Sequence, residues 1–366
     1  MKVLSLFDGM ACGAIALQAA GIEIEAYDAF EIDKYAIKVA MHNLPYIKQH
    51  GDVFKADFTR FADVDLVCGG SPCTYWSIAQ RSNRETEASG LGWELFQQYV
   101  RAVNEAKPRF FIYENNYSMS EAIRESITKA FGFEPVCINS NLVSAQNRRR
   151  LYWVGQRNAD GTYSKVPVAL PKDRMIYLKD VVEDPNMDGI PSAVSYEVIG
   201  RKKNQTGDRE MHYEARMDNK SFCLTGVEER RLVAIPVGVG FRNRREKDGK
   251  LYRRFESHNE PKANALTTVQ TDSMVAVPHQ GQKGQLDSCE VVNGHITIKG
   301  KQYKINLPDG CYVFRKYTVE ECKRLQTVPE WYDMGVISNT RAYKCLGNGW
   351  TVDVIAHILT HLKKEG

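Results

Sequence analysis

The chain has 366 residues, 43% hydrophobic and 26% charged, with 49 Lys and Arg against 45 Asp and Glu for a formal net charge of +4. Those proportions are those of a soluble globular protein and exclude a disordered chain; no apolar run reaches the roughly 18 residues of a membrane span. Nine cysteines, odd in number, widely spaced and without a Cys-x-x-Cys pair, exclude a disulfide framework and a zinc knuckle. A reducing, cytoplasmic setting is expected, with no metal and no obligate protein partner.

The charge is unevenly placed. Residues 201–254 hold 15 Lys and Arg against 8 Asp and Glu, while the other 312 residues are slightly acidic. A basic middle on a near-neutral body fits contact with a polyanion, or equally a solvated loop surface.

In chain order, residues 3–7 read as a buried strand, too short for a signal peptide. Residues 14–20 read as a helix, 22–30 as a strand, 33–43 as a helix and 64–68 as a strand ending in Gly69-Gly70. Leu95, Phe96, Tyr99, Val100 and Val103 have helical spacing and predict a helix over 93–106. Residues 109–113 and 151–154 are further strands. This alternation predicts an α/β fold with a doubly wound, mostly parallel sheet, whose ligands lie at the carboxyl ends of the strands.

Beyond about residue 158 the helical periodicity is lost and short strands and turns take over. The pattern Leu224-Thr225-x-Val227 with Val233-Ala234-Ile235-Pro236 recurs 42 residues later as Leu266-Thr267-x-Val269 with Val275-Ala276-Val277-Pro278. Two related strand-turn-strand units in a mostly β domain account for it, with Asp248-Gly249 as a hairpin turn between basic strands. Helix returns over 318–326, where Thr318 and Glu321 form a capping-type pair, and over 350–364. His357 and His361 in the last helix read as a plain helix face.

Four strand ends carry the chemistry. The Phe7-Asp8-Gly9-Met10-Ala11-Cys12-Gly13 turn opens a helix and lets the backbone approach a ligand. Glu31 ends the second strand and suits ribose hydroxyls, and Asp52 in Gly51-Asp52-Val53 can accept from an adenine amine. Together they favour an adenosine-containing cofactor over three ordinary turns. Cys73, in Gly69-Gly70-Ser71-Pro72-Cys73, is either a nucleophile or a small buried hydrophobe. Glu114, in Tyr113-Glu114-Asn115-Asn116, is either a general acid or a structural carboxylate. Gln146, Arg148 and Arg150 share one face of an extended segment.

These motifs, with Arg315-x-Tyr317-Thr318, Glu321-Cys322 and Gly347-Asn348 following in order, resemble the C5-cytosine DNA methyltransferase family. Phe7-Asp8-Gly9, Gly69-Gly70-Ser71-Pro72-Cys73 and Gly349-Trp350 look closest to the animal de novo methyltransferases, whereas Asn348 is similar to the bacterial enzymes. The resemblance implies a Rossmann-like class I methyltransferase. A catalytic domain over 1–157 would be completed by 312–366, around an inserted, mostly β target recognition domain over 158–311.

The resemblance also implies roles. Cys73 would attack carbon 6 of a cytosine flipped out of duplex DNA, Glu114 would protonate ring nitrogen 3, and Arg150, with Arg148 in support, would hold the carbonyl oxygen and the acid. S-adenosyl-L-methionine would give its methyl group to carbon 5 and leave as S-adenosyl-L-homocysteine. Its site would comprise Phe7, Asp8, Gly9, Met10, Ala11, Glu31, Ile32, Asp52, Val53, Asn348 and Trp350. Residues 74–90 would form a loop closing on the base. Its Tyr75, Trp76, Ser77 and Gln80 would contact DNA, Trp76 being equally suited to anchor the loop. Arg242, Arg244 and Arg245 are the candidates for the DNA backbone. A tRNA methyltransferase and a non-catalytic DNA-binding relative are the alternatives. Ala11, where many members have glycine, and Asn116, where valine is usual, depart from the family pattern.

Overall fold

The computed structural model describes residues 1–76, 84–181 and 317–362, and between the last two the backbone of strands over 194–203, 209–216, 233–234, 240–245, 251–256, 275–278, 288–293, 295–298, 301–304 and 310–315. The first part of the chain alternates strand and helix. In chain order these are β1 (Lys2–Leu6), α1 (Cys12–Ala19), β2 (Ala26–Phe30), α2 (Lys34–Asn43), β3 (Lys48–Gln49), β4 (Leu66–Gly69), α3 (Gly90–Ala106), β5 (Phe110–Asn116), α4 (Glu121–Phe131), β6 (Val136–Asn139), β7 (Arg149–Arg157) and β8 (Tyr163–Lys165). Their sheet runs β3-β2-β1-β4-β5-β7-β6, with β8 on β7. The first five pair in parallel, and β7 runs antiparallel to both β5 and β6.

Both faces of this sheet are covered, which is why its strands are nearly continuous apolar runs. Period-two alternation divides them between two cores. Leu66, Cys68, Phe110 and Ile112 face the core built with α1 and α2. Leu4, Leu6, Val67, Phe111 and Tyr113 face the core built with α3 and α4. Helix starts follow side-chain chemistry: Asp33 caps α2 by accepting from Tyr35 N, and Ser120 caps α4 by accepting from Ile123 N.

After the second sheet come α5 (Val319–Leu325), α6 (Asn339–Asn348) and α7 (Val352–Leu359). Thr318 and Glu321 form the expected reciprocal capping box on α5. All three join the first core, and α7 packs against α1. The final helix is shorter than the 350–364 expected, because Thr351 takes an extended backbone before it.

The strand expected over 22–30 pairs only from Ala26: Ile22 N instead closes the end of α1 on Leu17 O. Helices α4 and α6 were not singled out from the pattern. Residues 158–181 pack with the first sheet. β8 extends the first sheet, Val166, Leu178 and Val181 lie in its core, and Arg174 pairs with Asp353. His357 of α7 and His361 just beyond it also bind this segment: His357 Nε2 lies 2.7 Å from Ala169 O, and Ala169 N donates to His361 Nε2 at 3.3 Å. They act as a backbone clamp.

The second sheet comprises β9 (Val194–Lys203), β10 (Arg209–Arg216), β11 (Val233–Ala234), β12 (Gly240–Arg245), β13 (Leu251–Glu256), β14 (Val275–Pro278), β15 (Ser288–Val292), β16 (His295–Ile298), β17 (Lys301–Lys304) and β18 (Gly310–Arg315). Every described pairing in it is antiparallel. Its strands run to Arg315, past the boundary expected at 311. Of the 42-residue echo, Val233 and Val275 both pair with Arg315 of β18. Residues 224–227, 235–236, 248–249 and 266–269 lie outside the described residues.

Candidate functional site

The site lies where four parallel strands end. A cavity of about 300 Å³ opens there, lined by Phe7, Gly9, Glu31, Gly70, Pro72, Thr74, Glu114, Arg148, Arg150, Asn348 and Trp350 among others. A second cavity of about 30 Å³ adjoins it, lined by residues 5–9, Cys12 and 348–350.

The turn after β1 is wound tightly: Phe7, Gly9 and Ala11 all take left-handed backbone, at φ of 57, 59 and 60°. This conformation costs a residue with a β-carbon about 1–2 kcal/mol, and here it aims Gly9 N at Glu31 Oε2, 2.8 Å away. Glu31 Oε1 accepts from Ile32 N and Asp33 N at 2.7 and 2.8 Å. One carboxylate thus ties the ends of β1 and β2 together at the cavity wall.

Asp8 is buried beneath this turn. Its Oδ1 accepts from Ser5 Oγ at 2.6 Å and Tyr27 OH at 2.8 Å, while Oδ2 has no hydrogen-bond partner among the described residues. Burial pushes its carboxyl up to about 7 against those two hydroxyls, with Glu31 adding repulsion.

The expected cofactor residues divide. Phe7, Gly9, Glu31, Asn348 and Trp350 line the main cavity and Asp8 the small one. Ile32 is 76% exposed beside Glu31. Met10, Ala11 and Val53 are buried in the cores, so their side chains do not face the cavity. Asp52 accepts from Phe54 N and caps a short turn. Asp33 and Lys344, joined by a 2.6 Å ion pair, line the cavity without having been expected; Asp33 was read only as a helix start. An orphaned acid oxygen, a carboxylate at the second strand end and an exposed apolar residue beside it suit an amino-acid-bearing adenosine.

The third and fourth strand ends are locked together. Asn115 Nδ2 donates to Ser71 O and Tyr113 OH, both at 3.1 Å, and Ser71 Oγ lies 2.7 Å from Tyr113 OH. Asparagine after Glu114 therefore holds the turn that leads into Cys73, which begins a single 3₁₀ turn over Cys73–Tyr75. The structure describes the backbone of Cys73 and not its side chain. Gly70 must be glycine, since a β-carbon would lie 2.7 Å from Glu114 O and 2.8 Å from its Oε2. Three other thiols near this end of the sheet, Cys12, Cys68 and Cys345, are pushed up to about 12 by burial and stay protonated.

Glu114 is 9% exposed and uses both oxygens. Arg150 Nε lies 3.0 Å from Oε1, and Trp350 Nε1 donates to Oε2 at 3.0 Å. Arg148 lines the same cavity and also reaches the C-terminal segment. Its buried guanidinium donates to Gly347 O at 3.2 Å and Gly349 O at 2.9 Å, so it orders the segment carrying Asn348 and Trp350. Gln146, on the same strand face, donates to Leu325 O. Asn116 is buried and accepts from Ser118 Oγ.

The base of the 74–90 loop is clasped. Trp76 is fully buried, its Nε1 donates to Glu85 Oε2 at 2.9 Å, and Glu85 N donates to Tyr75 O. Trp76 anchors the base of the loop in this structure. Tyr75 is half-buried against the second core. Ser77 and Gln80 lie outside the described residues. Arg242, Arg244 and Arg245 fall on β12, described by its backbone: Arg242 pairs with Arg254 and Arg244 with Tyr252 of β13.

Over residues 1–364 the chain matches the family model for C-5 cytosine-specific DNA methylases. It belongs to that family. The methylase is 28% identical over 338 residues to the orphan methyltransferase M.Rho11sI of Bacillus phage rho11s, covering 85% of this chain and 65% of that one. It is 24% identical over 377 residues to the type II methyltransferase M.FnuDI of Fusobacterium nucleatum, covering 100% of this chain and 94% of that one. Its fold is like that of the Entamoeba histolytica methyltransferase EhMeth, with a TM-score of 0.57, 13% identity, and coverage of 99% and 97%. No described helix is long and apolar enough to cross a membrane.

Proposed function

We propose that this methylase is a DNA (cytosine-5-)-methyltransferase that acts on a cytosine flipped out of duplex DNA. The observation that carries the reading is the convergence of Glu114, Arg150 and the turn into Cys73 on one cavity whose other wall suits an adenosyl group. A neutral pyrimidine is a poor methyl acceptor, so covalent activation divides one hard step into easier ones. Carbon 6 is out of reach in a stacked duplex, which makes flipping necessary.

In this mechanism the Cys73 sulfur bonds to carbon 6 while Glu114 delivers a proton to nitrogen 3. The ring electrons move to carbon 5. S-adenosyl-L-methionine, when bound, supplies an electrophilic methyl group and leaves as S-adenosyl-L-homocysteine. Carbon 5 then loses its proton to water, the carbon–sulfur bond breaks, and nitrogen 3 returns its proton to Glu114. Arg150 keeps the acid aimed throughout. Asp8, Glu31 and Asn348 hold the donor, with Phe7 and Ile32 on its adenine side. The described cysteines are free thiols, which supports a reducing compartment such as the cytoplasm, with nucleoid or viral DNA as the substrate.

Incubation with tritiated donor and duplex DNA tests the reading. Label is expected in DNA and not in tRNA, and none is expected from Cys73→Ala. Counts that survive that substitution would sink the mechanism.

The basic cluster of Arg242, Arg244, Arg245, Lys247, Lys250, Arg253 and Arg254 is proposed to meet phosphates. About four to six contacts would give a log–log slope of binding against salt of about −4 to −5. A flat salt dependence, measured by fluorescence anisotropy, would assign the cluster to solvent.

A further inference from the structure

Trp350 does more than wall a cavity. It lines both the 300 Å³ cavity and the adjoining 30 Å³ cavity. Its far edge reaches the start of α1, where a β-carbon on Gly13 would lie 3.7 Å from the ring. Its Nε1 donates to Glu114 Oε2 at 3.0 Å, and the segment preceding it is fixed by Arg148 and by Gln326 Nε2, which donates to Gly349 O. The indole is a strut between the turn after β1 and the acid at the end of β5.

We propose that Trp350 is a positioning residue for Glu114, and that through it the filling of the cavity is coupled to the readiness of the acid. The inference rests on the function proposed above. With Arg150 on one oxygen and Trp350 on the other, rotation of the carboxyl group breaks two bonds at once, so one orientation toward the cavity is held. Whatever fills either cavity bears on the same residue.

The test separates acid positioning from donor binding. Trp350→Phe keeps an aromatic ring and removes the N–H. In DNA carrying tritium at cytosine carbon 5, the wild type is expected to release label without any donor. Sulfur adds to carbon 6 as Glu114 protonates nitrogen 3, carbon 5 takes a proton from water and yields its tritium to water, and the sulfur leaves as nitrogen 3 returns its proton. Trp350→Phe is expected to slow this exchange about 10- to 100-fold, the worth of one hydrogen bond to a charged group. Its affinity for S-adenosyl-L-homocysteine, by calorimetry, is expected to fall less than the exchange rate does, since an aromatic ring is kept in the cavity wall, and measurable binding also reports an intact fold. Unchanged exchange overturns the inference. Loss of exchange together with homocysteine-product binding also overturns it, because the ring would then support the whole pocket. A wild type that neither exchanges nor transfers overturns the proposed function itself, and this inference with it.

Discussion

Glu114→Gln is expected to lower single-turnover methyl transfer by about 10³-fold, within the 10²–10⁴ range of a lost general acid. Glutamine has nearly the same shape and can still accept one hydrogen bond. It has no proton to give nitrogen 3, and its amide group turns a donor toward either Arg150 or Trp350, each of which already donates. Binding of S-adenosyl-L-homocysteine, measured by calorimetry, is expected to be unchanged, since Glu31 and Asp8 lie at other strand ends. Transfer within about tenfold of wild type would remove Glu114 from the role of acid.

Asp8→Asn is expected to change how stability depends on pH. The carboxyl is held at about 7 in the folded chain against an ordinary 3.8, because burial outweighs the bonds from Ser5 and Tyr27. The folded state therefore keeps a proton that the unfolded chain has lost. That contribution to stability is fully present below about 3.8 and disappears as the pH rises through about 7. Over that window the wild type is expected to lose on the order of 4 kcal/mol relative to the variant, by linkage. Urea denaturation without donor at pH 5 and pH 8 measures it: the variant should gain on wild type as pH rises, and be the more stable at pH 8. A variant destabilised equally at both values would show that Asp8 is paired with a buried cation. The same substitution is expected to weaken donor binding at pH 8, where the wild-type carboxylate offers its unpartnered oxygen.

What was legible in the sequence was local. Strand ends announce themselves by an apolar run followed by Gly, Pro or a carboxylate, and four such ends placed Glu31, the Cys73 turn, Glu114 and the Phe7–Ala11 turn in one cleft. What was not legible depends on contacts between distant segments. Arg148 and Arg150 look equivalent on an extended chain. Only the packing of residues 347–350 gives one the carbonyls of that segment and the other the acid. Trp76 looks like a ring offered to DNA until Glu85, nine positions on, takes its N–H. Residues 158–181 carry turns and few helical signals, yet they belong to the first core through α7 and α5. Met10 and Ala11 stand in the turn beside the cavity with their side chains turned inward, because alternating left-handed backbone reverses them.

The bond between Trp350 and Glu114 spans 236 positions of chain. At a ribosomal pace of about 5–20 residues per second, the indole follows the acid out by roughly ten to fifty seconds. For that interval the nascent polypeptide has Glu114 and the turn into Cys73 but lacks the far wall of the pocket. Synthesis order thus acts as a timer: the pocket closes only once residue 350 has been made.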